Sequence, residues 1–508
     1  MIHWYNFLLV KMRNSALIIF GLLVIVACSE KEQTNTSKSK LFTSISSEKS
    51  GISFENSLFF KEHLNIIDYL YYYNGGGVAV GDVNNDGLDD IFLTANQLPD
   101  KLYINKGNLQ FEDISKNAGI SIDSTWSSGV SMEDLNNDGL LDIYVSKVGV
   151  FHKNSHNQVY INQGINTETA NPHFKEMSKE LGLYFKGFST QSAFLDYDND
   201  GDMDMYLLNH AVHTPGSYGN IDNRTKKDSL SGDLFYENKL NEGKFYFEDV
   251  TKKVGIYSST LGYGLGINAS DINGDGYTDI YVSNDFHEND YLYINNGPNT
   301  ENGKFTFTES SEKFFGHTSR FSMGLDIGDL NQDNQPDVFT LDMMPYDPEI
   351  FLKSAGEDSD KITQIKTNFG YQPQYARNTM QINTGNGFSD MAPLTQTHAT
   401  DWSWSALIQD FDNDGLNDIF ITNGIYKRPN DLDYINYLST TDFAKYNQGN
   451  QVDLAKKLIE QMPTIKLPNV LFKNKGDFNF EKLTDEVGLT ESYSNGAAYS
   501  DFDNDGDL

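Results

Sequence analysis

Short apolar runs recur along this chain, each followed by a polar or glycine-containing turn. The first four are Gly77-Val78-Ala79-Val80, Ile91-Phe92-Leu93-Thr94, Lys101-Leu102-Tyr103-Ile104-Asn105 and Phe111-Glu112-Asp113. β-Branched and aromatic residues fill them, and runs of this length between turns predict strands. The third run returns as Gln158-Val159-Tyr160-Ile161-Asn162, Tyr291-Leu292-Tyr293-Ile294-Asn295 and Val470-Leu471-Phe472-Lys473-Asn474. The fourth returns as Phe247-Glu248-Asp249 and Phe480-Glu481-Lys482. Four strands repeated at this period predict the blades of an all-β propeller, with seven blades expected. A lone hairpin is marginal in water, so the blades must stabilise one another by packing.

Between the first and second strand of each repeat lies a nine-residue phrase: Asp, x, Asn or Asp, x, Asp, Gly, x, x, Asp. Seven copies begin at Asp82, Asp134, Asp196, Asp271, Asp329, Asp410 and Asp501. A hard cation takes six to eight oxygens from a flexible loop. Side chains at positions 1, 3 and 5 converge if the chain turns sharply, which the glycine at position 6 permits. The carbonyl at position 7 and a carboxylate at position 9 then close the cage. The expected ligands are Asp82, Asn84, Asp86 and Asp90; Asp134, Asn136, Asp138 and Asp142; Asp196, Asp198, Asp200 and Asp204; and Asp271, Asn273, Asp275 and Asp279. They continue with Asp329, Asn331, Asp333 and Asp337; Asp410, Asp412, Asp414 and Asp418; and Asp501, Asp503 and Asp505. The fifth copy carries Asn334 in place of glycine, and Asn is the next best residue for a left-handed turn. A turn alone would explain a single Asn-Asp-Gly. Repeated carboxylates at positions 1, 5 and 9 would repel one another without a cation. The phrase therefore predicts about one Ca²⁺ per loop.

Three insertions, 209–232, 342–377 and 423–468, fall between second and third strands, and the last contains a helical stretch over 453–461. Strand alternation puts them on the face opposite the acidic loops. Eight residues before six of the loops stands an aromatic: Trp126, Phe188, Tyr263, Phe321, Trp402 and Tyr493, with Asn74 in the first repeat. The next residue is small. These rings mark the far end of the innermost strand, either as core packing or as an aromatic-lined binding funnel. Trp126, Trp402 and Trp404 are the ligand-binding candidates. Ile52-Ser53-Phe54-Glu55-Asn56 reads as a stray fourth strand able to close the ring. The last copy stops at Leu508, one residue before its ninth position, which predicts a blade truncated within a longer protein.

The formal charge is −34, from 38 basic and 72 acidic residues, and seven Ca²⁺ would leave it at −20. That balance argues against a nucleic-acid partner. The single cysteine, Cys28, ends Ile25-Val26-Ala27-Cys28 after a basic start and an apolar run over 16–26. This pattern predicts a lipoprotein signal peptide over 1–28, with Cys28 lipidated. The run is too short for a spanning helix, which needs about 20 apolar residues. Residues 29–50, rich in Ser, Thr, Lys and Glu, read as a flexible tether, and 51–508 as the propeller. Lipid anchoring predicts the outer membrane or cell surface of a Gram-negative bacterium, where millimolar calcium suits weak sites.

An aromatic-small pair, a strand and the Asp-rich loop together resemble the FG-GAP arrangement of integrin α propellers, best in Tyr263-Gly264 through Asp279 and Phe321-Ser322 through Asp337. Tyr73-Asn74-Gly75-Gly76-Gly77-Val78-Ala79-Val80-Gly81-Asp82, Arg377-Asn378-Thr379-Met380-Gln381 and Asp401-Trp402-Ser403-Trp404 narrow the likeness. They resemble FG-GAP/VCBS-repeat lipoproteins of Bacteroidota, which often continue into an ASPIC/UnbV domain and are similar to cartilage acidic protein. The resemblance implies a calcium-dependent surface propeller without a settled activity.

Three functions follow. The first is a lipid-anchored binding or adhesion module for a glycan or protein. The second is a polysaccharide-processing enzyme, for which Asp326 and Asp401, near inner strands, are a candidate carboxylate pair, with bonds to backbone or an adjacent loop as the favoured alternative. The third is a scaffold subunit of an outer-membrane complex. No Gly-x-Ser-x-Gly or His-Glu-x-x-His occurs, and no catalytic residue is assigned.

Overall fold

In a computed structural model, residues 40–212, 219–441 and 451–508 are described. The Cys28 signal segment lies outside them. Residues Ser44–Leu508 form one compact unit.

Blade 1 consists of Val78–Gly81, Asp90–Leu93, Lys101–Asn105 and Phe111–Asp113, paired antiparallel in chain order. The same four-stranded meander recurs over 127–176, 189–249, 264–309, 325–390 and 403–483, giving blades 2 to 6. The first strands of consecutive blades contact one another and line the axis. The protein is an all-β propeller. Six blades, not the expected seven, form four-stranded sheets among the described residues. The seventh repeat supplies only one run and one loop, so its run has no second strand with which to build a ladder. It lies between blades 6 and 1: Ser494 N donates to Asn423 O at 2.9 Å, Thr422 Oγ1 to Asn495 O at 2.6 Å, and Asn495 Nδ2 to Tyr73 O at 3.3 Å.

The predicted outer strand at 52–56 does not form. That segment lies against the second-to-third connection of blade 1, with Asn56 Nδ2 donating to Asn96 Oδ1 at 2.8 Å. Within the predicted tether, Ser47–Ser50 is a helical turn capped by Ser46 and ended by left-handed Gly51. A side chain at Gly51 would collide with Phe111 O, as one at Gly182 or Gly255 would with the corresponding Phe247 or Phe307 oxygen. The N-terminal turn thus holds, against blade 1, the place that the turn closing each earlier blade holds against the next.

Two repeated polar contacts join the blades. The loop-closing carboxylates Asp90, Asp142, Asp204, Asp279, Asp337 and Asp418 are fully or almost fully buried. In each, Oδ1 accepts the backbone N–H of the Asn that ends the third strand, at 2.7–2.8 Å. Oδ2 of the first five accepts the N–H of loop position 2 at 2.9–3.3 Å. The oriented asparagine then reaches backwards. Asn162, Asn238, Asn295, Asn383 and Asn474 donate Nδ2 to Val83, Leu135, Tyr197, Ile272 and Leu330 carbonyls of the preceding loop, at 2.8–3.0 Å. Asn105 of blade 1 donates to Phe502 O of the seventh loop at 2.8 Å, so the chain of links closes on itself.

At the rim, the left-handed position 4 of each loop reaches forwards. Asn85, Asn137, Asn199, Gln332, Asn413 and Asn504 donate to the position-6 carbonyls Gly139, Gly201, Gly276, Gly415, Gly506 and Gly87 at 2.8–3.4 Å. Only the fourth loop lacks such a donor, because Gly274 stands there. The seven loops therefore form a ring with one gap.

Replacing the buried Asn383 by Ala removes an interblade bond and opens a cavity. We expect a loss of about 2–4 kcal/mol, against less than about 1 for rim residue Asn85→Ala. Equal shifts of the melting midpoint in the two variants would show that the buried link is not the stronger one.

Candidate functional site

The acidic loops share one backbone geometry. Position 1 folds its carboxylate under the turn: Asp82 Oδ1 accepts from Asp86 N at 3.1 Å and Oδ2 from Gly87 N at 2.7 Å. The same pair recurs at Asp134, Asp196, Asp271, Asp329, Asp410 and Asp501. Asn334 takes the left-handed conformation that glycine takes elsewhere, at φ 61°. In three loops the carboxylates of Asp196, Asp198 and Asp204; Asp410, Asp412 and Asp418; and Asp501, Asp503 and Asp505 bring an oxygen each within 4.8 Å of the others. In the other four, an amide oxygen stands at position 3: Asn84, Asn136, Asn273 and Asn331.

The donor set fits a hard cation. Oδ1 of Asp198, Asp202 and Asp412 is buried with no hydrogen-bond partner among the described residues. Such atoms are costly unless something satisfies them. Without a cation, burial pushes Asp90, Asp142 and Asp279 up to about 7 and Asp204 up to about 9, with neighbouring loop carboxylates adding to the effect. The position-9 carboxylates already accept backbone N–H groups, but each oxygen keeps a second lone pair for a metal.

On the insertion face the aromatic positions are mostly covered. Trp126 is 2% exposed and Tyr263 is 1% exposed. The cover is a segment that sequence reading did not single out, Tyr69-Leu70-Tyr71-Tyr72-Tyr73, just before the first inner strand. Tyr69 packs edge-on to Trp126 and its hydroxyl meets His210 Nε2 at 2.9 Å. Tyr71 donates to Asp285 Oδ2 at 3.0 Å, and Tyr72 lies against Trp126. Four tyrosines in five residues were the available signal. Trp126 is therefore packed within the protein rather than presented to a ligand. The expectation of a ligand-binding role for it gives way to core packing, because the tyrosine segment fills the axis above it.

Beside this cover a cavity of about 330 Å³ opens between the insertions, with Tyr71, Asp285, Arg320, Glu357, Trp402 and Trp404 in its wall. Trp402 is 8% exposed and its indole nitrogen has no partner among the described residues. Trp404 is half-buried and its Nε1 donates to Gly424 O at 2.7 Å. Arg320 stacks on Phe321 and pairs with Asp358 at 2.6 Å.

The two carboxylates weighed as a catalytic pair have separate partners. Asp326 accepts from Asn268 Nδ2 at 2.8 Å and from Ile408 N of the next blade at 2.7 Å, and burial pushes it up to about 6. Asp401, left-handed at φ 83°, is held by both terminal nitrogens of the buried Arg428. Both are tied to structure rather than aimed at a shared point. Among the described residues no helix is long and apolar enough to cross a membrane.

The model of the FG-GAP-like repeat family matches residues 68–145 and 239–340. Cartilage acidic protein 1 of Xenopus tropicalis is 26% identical over 224 residues, which cover 42% of this chain and 29% of that protein. Its human counterpart is 24% identical over 217 residues, covering 42% of this chain and 28% of that protein. The chain thus spans under a third of the curated relatives it matches. Among solved structures, the V. cholerae biofilm matrix protein Bap1 is 15% identical with a TM-score of 0.29, covering 62% of this chain and 39% of that one. No functional argument follows from a backbone likeness that loose. With its acidic loops set between the first and second strands of repeated four-stranded blades, the chain is an all-β propeller that carries FG-GAP-like repeats over 68–145 and 239–340.

Proposed function

We propose that this chain is a calcium-binding surface propeller, anchored by a lipid on Cys28, that binds a glycan or protein partner on its insertion face. The carrying observation is the cavity wall, where Tyr71, Trp402 and Trp404 stand beside Asp285, Glu357 and Arg320. Aromatic faces stack on the apolar faces of sugars, and fixed donors and acceptors orient hydroxyls. A cavity of about 330 Å³ takes a chain end or one protruding side chain rather than a flat partner surface. Calcium at the opposite face would supply Asp82, Asp134, Asp196 and their counterparts with the positive charge that their mutual repulsion calls for. Since every loop but the fourth bonds to the next, ions bound there would stiffen the ring.

Calcium should raise the melting midpoint of residues 29–508 and a chelator should lower it. Saturation of one site at 100 times its Kd contributes about 2.7 kcal/mol. An identical midpoint in calcium and in chelator would reject the calcium reading. On a broad glycan array in calcium, the protein should retain a defined set of sugars. Trp404→Ala should weaken that retention at least tenfold with a small change in midpoint, whereas Trp402→Ala should cost about 3–5 kcal/mol of stability because it is packed in the core. Absence of any retained glycan by the folded protein would redirect the search to protein partners.

A further inference from the structure

The seven loops are not alike, and the sixth already holds a cation. Lys473, on the third strand of blade 6, extends its ammonium into the loop of its own blade. There it pairs with Asp412 at position 3 and lies 3.1 Å from Asp414 at position 5. These are two of the carboxylates that would hold calcium, and Asp412 is also one of the three whose oxygens converge in that loop. The residue is one place before the third-strand asparagine. The same place holds Ile104, Ile161, Ile294 and Ile382 in blades 1, 2, 4 and 5. In blade 3 it holds Glu237, which pairs with Lys239 at 2.8 Å.

We propose that Lys473 is a tethered cation that competes with calcium for the sixth loop, leaving it the weakest of the complete sites. This rests on the reading of the loops as calcium sites. The charge count supports it. Loops with Asn at position 3 carry carboxylates at positions 1, 5 and 9, while the sixth has a fourth, Asp412. Lys473 pairs with that additional carboxylate and returns the loop to the net charge of its neighbours. An ammonium lacks the radius and coordination number of Ca²⁺. It can nonetheless satisfy two carboxylates, and calcium must displace it to enter. The third loop is the opposite extreme: it carries five carboxylates, Asp196, Asp198, Asp200, Asp202 and Asp204, and Oδ1 of Asp198 and of Asp202 is buried with no hydrogen-bond partner among the described residues.

The test is calcium titration calorimetry on residues 29–508 of the wild type and of Lys473→Met, which keeps the length of the side chain without its charge. The variant should bind one more calcium in the accessible range, or show one weak site tightened roughly tenfold or more. Adding Asp414→Asn to that variant should remove the gain. Ile294→Lys, which transplants the ammonium to blade 4, should cost one site and remains informative if Lys473→Met does not fold. Calcium binding by the wild type with the same number and strength of sites in Lys473→Met and in Ile294→Lys would overturn the role of Lys473 while leaving the loops as calcium sites. No calcium binding by the folded wild type would overturn both.

Discussion

A buried aspartate at the end of each acidic loop organises this propeller. One oxygen fixes the start of its own loop through the position-2 N–H, and the other fixes the end of the third strand through the asparagine N–H. The asparagine, once oriented, bonds to the loop of the preceding blade. A carboxylate this fully removed from water must be hydrogen-bonded or neutralised, and here both oxygens accept backbone N–H groups. Loop shape, blade width and blade-to-blade register thus depend on a single side chain. Its loss would disturb three elements at once, which is how six copies of a small sheet become one cooperative body rather than a string of marginal hairpins.

The opposite face is held in a different way. There the hydroxyl after the aromatic position reaches the preceding blade: Ser127 Oγ donates to Asp100 Oδ2 at 2.8 Å, and Ser322 Oγ to Asp290 Oδ2 at 3.1 Å. Asn157 Nδ2 donates to Ser189 Oγ at 2.9 Å. Ser127, Ser189 and Ser322, each following an aromatic, are therefore links between blades, with the aromatic as apolar packing beside them. Above these links the tyrosines at 69–73 close the axis, and the insertions build the cavity off centre. The two faces are built differently: short, equal-length loops on one, long and unequal connections on the other.

The sheets, the loops and the insertions were legible in the sequence because each is a local pattern repeated many times. Strand length, turn residues and carboxylate spacing all act over fewer than ten residues. The helix at Gln451–Gln461 was readable for the same reason. What was not legible depends on contacts across blades. The asparagine of Tyr-Ile-Asn stood in every quoted third strand, yet its target is a carbonyl some 80 to 140 residues earlier in the links from Asn162 and Asn474. The tyrosine cover at 69–73 occurs once, so no repetition marked it. Trp126 and Trp402 share one repeat position, but only the fold shows that the first is roofed by Tyr69 and Tyr72 while the second borders a cavity. The count of complete blades, six, followed from pairing and not from the number of loops.

Lys473 shows why repeats with one backbone need not share one chemistry. The ring of loop-to-loop bonds fixes the positions of the carboxylates, so the charge that each site presents is set by side chains projecting from the neighbouring strand. That strand position is structurally permissive: isoleucine, glutamate and lysine all occur at it without altering the asparagine beside it. A substitution there changes local electrostatics by one or two units while the loop geometry stays constant. Coulomb energy at partly buried sites is large enough for such a change to shift binding substantially. With calcium in the loops, as proposed, substitution at this one strand position would spread the sites over a range of cation concentrations without rebuilding a loop.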